Sequence, residues 1–148
     1  MLFRSVDSRD TAFPAVRPEN VQVIESDEPE TEVRHVPAGA NVLVLTHSHA
    51  LDLEICFELL KRDDLAYCGL IGSATKAAIF GKRFAARGFS RIEIARIICP
   101  IGLEALSSKH PGVIAVSVAA DLAEKREKLE RHRTSERAAH NNVTYVPN

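Results

Sequence analysis

One stretch of this chain constrains its fold more than any other: Val42-Leu43-Val44-Leu45, an unbroken apolar run between Asn41 and Thr46. A strand with one wet face alternates apolar and polar residues, whereas a strand that is apolar throughout is covered on both faces. A second covered strand is expected over residues 66–71, Ala-Tyr-Cys-Gly-Leu-Ile. Between the two lies a segment with helical spacing, residues 50–62, in which Leu53, Cys56, Phe57 and Leu60 share one stripe. Covered strand, helix, covered strand is the pattern of a parallel sheet with helices on both faces. The expected class is therefore α/β, Rossmann-like, with a mostly parallel sheet flanked by helices.

The other elements follow from their punctuation. Residues 2–6, closed by Asp7, read as a short strand, residues 8–20 with two prolines as a loop, and residues 21–24 as another short strand. Asp27 is placed to cap a brief helix with Pro29 in its first turn, ended by Pro37-Ala-Gly39. After Gly72-Ser73 a helix with Ala77, Phe80 and Phe84 on one face stops at Gly88, which suits a left-handed cap. Ser90 and Glu93 make a capping-box pattern for a helix that stops before Pro100, and Pro100-Ile-Gly102 opens a loop. Pro111 begins a last long helix, apolar at Val113, Ile114, Val118 and Leu122, then charged from Glu124 to Arg137. Glu124 with Lys128 and Glu127 with Arg131 pair one turn apart, which marks a solvated face and not a nucleic-acid patch. Residues 140–148 read as a frayed tail. The expected division is an α/β domain over residues 1–122 and a charged helical extension with its tail over 123–148.

At 148 residues the chain is long enough for one domain with an adequate core. A net charge of −1 gives no pull toward nucleic acid or anionic membranes. No apolar run approaches the ~20 residues of a membrane span, and the N-terminal residues lack the hydrophobic stretch of a signal peptide. Cys56, Cys68 and Cys99 are odd in number and widely spaced, which is neither a disulfide framework nor a C-x-x-C zinc site. They read as buried structural thiols, Cys99 least so because it abuts a Pro-Ile-Gly loop, and a reducing cytoplasm fits them.

In such a sheet, ligands bind beyond the carboxyl ends of the strands, and three pieces of sequence fall there. Asp7 ends the first strand; it either bonds a ribose hydroxyl, as acidic residues do in dinucleotide-binding folds, or caps local backbone as a turn aspartate. Thr46, His47, His49 and Asp52 crowd the loop and helix start after the central strand. Two histidines and an aspartate can bind a metal, can hydrogen-bond an anionic or heterocyclic ligand, or can serve locally, with Ser48 or His49 capping the helix and Asp52 favouring its dipole. Gly72, Ser73 and Lys76 form the sharpest pattern: free N–H groups, a hydroxyl and an ammonium at a strand-to-helix turn suit phosphate or another oxyanion. The spacing is not that of a Walker loop, and the alternative is a tight turn with Ser73 as N-cap.

Five blocks in order then carry a resemblance: Val6-Asp7-Ser8-Arg9, Thr46-His47-x-His49-Ala50-Leu51-Asp52, Tyr67-x-Gly-Leu-Ile-Gly72-Ser73-x-x-Lys76, Cys99-Pro100-Ile101-Gly102-Leu103, and Ile114-Ala-Val-Ser-Val-Ala-Ala120. Together they closely resemble the C-terminal Rossmann-like domain of the XdhC/CoxI accessory proteins, from about Val6 to Leu122. The resemblance implies a chaperone that binds molybdenum cofactor (molybdopterin), assists its maturation and passes it to xanthine dehydrogenase or a related molybdenum hydroxylase, more a binding protein than an enzyme. It suggests the Ser73/Lys76 turn for the pterin phosphate, and His47, His49 and Asp52 for the pterin or the metal's oxygens.

Relatives carry a first strand and glycine-rich turn that should precede Val6, and an N-terminal domain before that. The chain is accordingly expected to start at the second strand of a 3-2-1-4-5 sheet, whose middle strand is then missing. Two half-sheets with open apolar edges should result. Strand two could slide against strand four, another chain could supply the strand, or a homodimer could cover the gap. Without the glycine turn, NAD(P) binding, the basis of an alternative oxidoreductase-like reading, is disfavoured. A third reading is a metal-dependent hydrolase centred on His47, His49 and Asp52.

Overall fold

The computed structural model describes residues 2–103, 106, 108 and 110–141. They form β1 (Phe3–Asp7), β2 (Val21–Glu25), β3 (Asn41–Val44), α1 (His49–Leu60), β4 (Tyr67–Leu70), α2 (Ala74–Ala86), α3 (Arg91–Ile94), β5 (Ile97–Ile98) and α4 (Pro111–Asn141), with 3-10 segments at Asp10–Ala12 and Pro29–His35. Every strand pair is parallel; β4 is buried at every position as expected, whereas β3, expected to be covered on both faces, leaves Leu43 38% exposed. The strands make two sheets, β1-β2 and β3-β4-β5. This is the expected α/β, Rossmann-like architecture in two half-sheets. Among the described residues β1 does not pair with β3, so the sliding of one against the other does not occur.

The chain divides into two compact units, Met1–Ile101 and Gly102–Asn148. In the first, β3, β4, α1 and α2 enclose a core that includes Val44, Leu53, Cys56, Phe57, Leu60, Leu70, Phe80 and Phe84. The helical stripes read from the sequence are thus the buried ones. Each such side chain contributes about 1.5–3 kcal/mol through burial. Phe57 meets Phe84 edge to face, with centroids 5.2 Å apart, and stacks on Phe89. The end of α2 is a Schellman turn: Gly88 takes φ +94°, its N–H reaches the Ala85 carbonyl, and the Phe89 N–H reaches Phe84.

Three local expectations need correction. The segment after Asp27 is a 3-10 helix, with Glu28 and not Asp27 at its N-cap and no side-chain cap bond. Its fixing comes from elsewhere: the Arg62 guanidinium donates to the carbonyls of Val33 and Val36. The Ser90–Glu93 capping box is present, but its helix ends at Ile94 and Ile97–Ile98 pair with β4 as a strand. So short an apolar run reads either way, and pairing with β4 decides it. Of the expected tail, residues 140–141 belong to α4, and 142–148 lie outside the described residues.

In the second unit Gly102, at φ +84°, sits against Ser117, whose buried hydroxyl accepts the Leu103 N–H at 2.7 Å. Along α4, Lys128–Glu124, Arg126–Glu130 and Arg131–Glu127 are exposed ion pairs one turn apart. No described helix is long and apolar enough to cross a membrane.

Candidate functional site

Two strand-to-helix turns build one cavity. β3 delivers Thr46 and His47, and α1 starts under the cap of Ser48, whose hydroxyl accepts the Leu51 N–H. One turn into α1, Asp52 is fully buried. Its Oδ1 accepts the Thr46 hydroxyl at 2.7 Å and the Thr46 N–H at 3.1 Å, so it closes the loop on itself. β4 delivers Ile71 and Gly72, and Ser73 caps α2 by accepting the Lys76 N–H. A Cβ at Gly72 would stand 2.7 Å from Lys76 Cδ and 3.0 Å from Cys99 Sγ, so the turn needs a residue without one.

The Lys76 ammonium joins the two turns. It lies 2.5 Å from Asp52 Oδ2, donates to the Ile71 carbonyl at 2.8 Å and stands over the Phe80 ring. Only 9% of the Lys76 side chain and 1% of the Asp52 side chain are exposed. The two charges therefore neutralise each other inside the floor of the site.

Thr46, His47, His49, Asp52, Gly72, Ser73 and Lys76, with Ile71, line a cavity of about 360 Å³. The residues singled out in both loops are thus brought together. Ile71 is the addition, and it contributes its carbonyl to the ammonium. His47 and His49 are exposed at the rim. The first amides of a helix have no partner within it, and the starts of α1 and α2 both border the cavity. Neutral hydroxyls, imidazoles and helix-end N–H groups thus face the cavity, a set suited to an anionic or polar heterocyclic guest.

Asp7 does not line this cavity. It ends β1 and is held by Arg9: the guanidinium donates to both carboxylate oxygens at 2.9 Å and the Arg9 N–H to Oδ1. The guanidinium is the main reason the Asp7 pKa drops to about 2, and the nearby His47 adds a smaller lowering. The Arg9 N–H bond is the local turn contact expected of an aspartate here. Among the described residues no three His, Cys, Asp or Glu side chains are grouped to hold a metal.

The family follows from the sequence as a whole. The model of the XdhC Rossmann domain matches residues 7–122. The chain belongs to the XdhC family. Its XdhC domain also shares a fold with a solved structure, a xanthine dehydrogenase from Bacillus halodurans. That pair is 23% identical with a TM-score of 0.57, over 72% of this chain and 29% of the other. The chain thus spans under a third of that protein's length. No protein in a search of curated proteins matches it.

The sequence did not point to the Lys76–Asp52 pair. Its signal was the matching placement of an acid and a base in the first turns of the two helices that follow β3 and β4.

Proposed function

We propose that this XdhC domain is a binding and maturation factor for molybdenum cofactor that serves xanthine dehydrogenase or a related molybdenum hydroxylase in the cytoplasm. The observation that carries the reading is the XdhC match across residues 7–122, which spans both cavity-lining turns. The donor set fits the cofactor in kind. The Ser73 turn and the start of α2 suit the pterin phosphate, and His47 and His49 at the rim suit the polar pterin ring. Asp52 and Lys76 position these groups by tying the two turns together and are not themselves free to grip a ligand. When bound, the cofactor would bring the molybdenum chemistry; this chain's residues hold and shield it.

The test is direct. Purified protein is mixed with molybdenum cofactor released from a molybdoenzyme, desalted, and assayed both for retained pterin and for activation of cofactor-free xanthine dehydrogenase. Retention and activation that both fall in Ser73→Ala and His47→Ala are expected. Neither retention nor activation, with folded protein, overturns the reading. Calorimetry with NAD and NADP covers the oxidoreductase-like alternative: micromolar affinity would replace the maturation reading with a nicotinamide one.

A further inference from the structure

Charge is unevenly spread along the first unit, Met1–Ile101. Residues 1–73 hold thirteen Asp and Glu against six Lys and Arg, whereas residues 74–101 hold six Lys and Arg against Glu93 alone. The net charge of −1 hides this division. Two regions of opposite sign on one molecule create local fields that the total does not report.

The positive region shows itself on α2. Ile79, Lys82, Arg83 and Ala86 recur at helical spacing on one face and are exposed, while Phe80 and Phe84 on the other face are buried. Ile79, 48% exposed, lies one turn before the two cations. α2 has no acidic residue of its own; Arg87 follows at its C-cap and Arg91 opens α3.

The negative region is densest where β2 passes into the 3-10 segment. Glu25, Asp27 and Glu28 are exposed there and Glu30 is half-buried. Glu28 stands at the N-cap yet makes no side-chain cap bond. Other acids of this unit, Asp7, Asp52, Glu54, Glu58 and Asp64, each lie against a base. Among the described residues the four acids of the strip make no ion pair, and neither do Lys82 and Arg83.

We propose that the α2 face around Ile79, Lys82 and Arg83 binds a second copy of this chain, through that copy's acidic strip from Glu25 to Glu30. Complementary potentials across a contact speed encounter and fix its register. A long polyanion suits the face less well, because it would also meet the excess acid of residues 1–73 and be repelled. A short strip can be matched by the cations alone. Two copies can exchange both contacts and close as a pair, or link onward to a third.

Sedimentation velocity of the full chain over rising concentration, at about 50 and about 500 mM salt, tests this. Association at low salt is expected, and it should weaken about tenfold or more at high salt as screening shortens the reach of the charges. Lys82→Glu with Arg83→Glu, and separately Asp27→Lys with Glu28→Lys, should each weaken association about tenfold or more, because like charges then face each other. These side chains are exposed, so thermal unfolding should stay close to wild type. Lys82→Gln with Arg83→Gln stands in if the charge reversal does not fold. Mixing the two reversed variants should restore association, because each supplies the surface that the other has lost. Wild type that stays monomeric at low salt overturns the proposal, as does undiminished association in either folded variant or a mixture that stays monomeric. Binding of a DNA duplex that is lost in Lys82→Glu with Arg83→Glu, without self-association, would overturn it in favour of a polyanion.

Discussion

Lys76 on α2 and Asp52 on α1 meet at 2.5 Å beneath the cavity, so each helix start is held in place by a charge on the other. Breaking a buried pair leaves an uncompensated charge and costs about 3–5 kcal/mol. Lys76→Met should therefore lower unfolding free energy in denaturant titrations by that amount. Adding Asp52→Leu to it should recover much of the loss, because the stranded carboxylate is removed too. Additive losses would show that the two side chains are not coupled.

Capping serines separate a structural from a binding role. Ser73 and Ser90 each accept the third helical N–H, and losing either cap costs about 1 kcal/mol. Ser73→Ala and Ser90→Ala should thus be similarly destabilised, while only Ser73→Ala loses retention of molybdenum cofactor. Equal retention in the two would remove Ser73 from the ligand's surroundings.

Gly72→Ala tests the tightness of the second turn. The added methyl would stand 2.7 Å from Lys76 Cδ and 3.0 Å from Cys99 Sγ. Overpacking of this kind costs about 1–3 kcal/mol. Thermal unfolding should show the loss, and it should shrink in a Lys76→Ala background, where the obstructing side chain is gone.

Acid stability should carry a mark of Asp7. Its carboxyl is lowered from 3.8 to about 2, chiefly by the Arg9 guanidinium. A carboxyl with a depressed folded pKa stabilises the fold above its unfolded pKa, and that contribution is lost as pH falls through the folded value. The advantage of wild type over Asp7→Asn should hold from pH 6 down to about 4 and vanish by about 2. Solvent screening limits it to about 1 kcal/mol or less, since Arg9 is half exposed. Unfolding free energies between these pH values check it; an advantage that grows toward low pH contradicts the pairing.

The cysteines should label in order of access. Burial pushes the Cys56 thiol up to about 12 and raises Cys68 and Cys99 as well, and only Cys99 is partly exposed. Iodoacetamide at pH 8, followed by peptide mass spectrometry, should modify Cys99 first and Cys56 only on unfolding, because the thiolate is the nucleophile.

Much of this was legible before the structure. The apolar runs at β3 and β4, the stripes on α1 and α2, and Gly88 behind α2 each carry a strong local signal, and polar clusters after apolar strands marked both turns of the cavity. What escaped depends on the third dimension. Ile97–Ile98 become a strand only because β4 offers an edge. Lys76, read as an ammonium suited to an anion, pairs with a carboxylate 24 residues away. Asp7 reads two ways in the sequence, and its bonds to Arg9, two residues on, appear only in the structure.

With the Lys76 ammonium held by Asp52, the two helix starts offer a guest oriented peptide groups and hydroxyls. These carry no net charge to gather a counterion cloud. A guest held by them should lose less affinity as ionic strength rises than one clamped by free lysines.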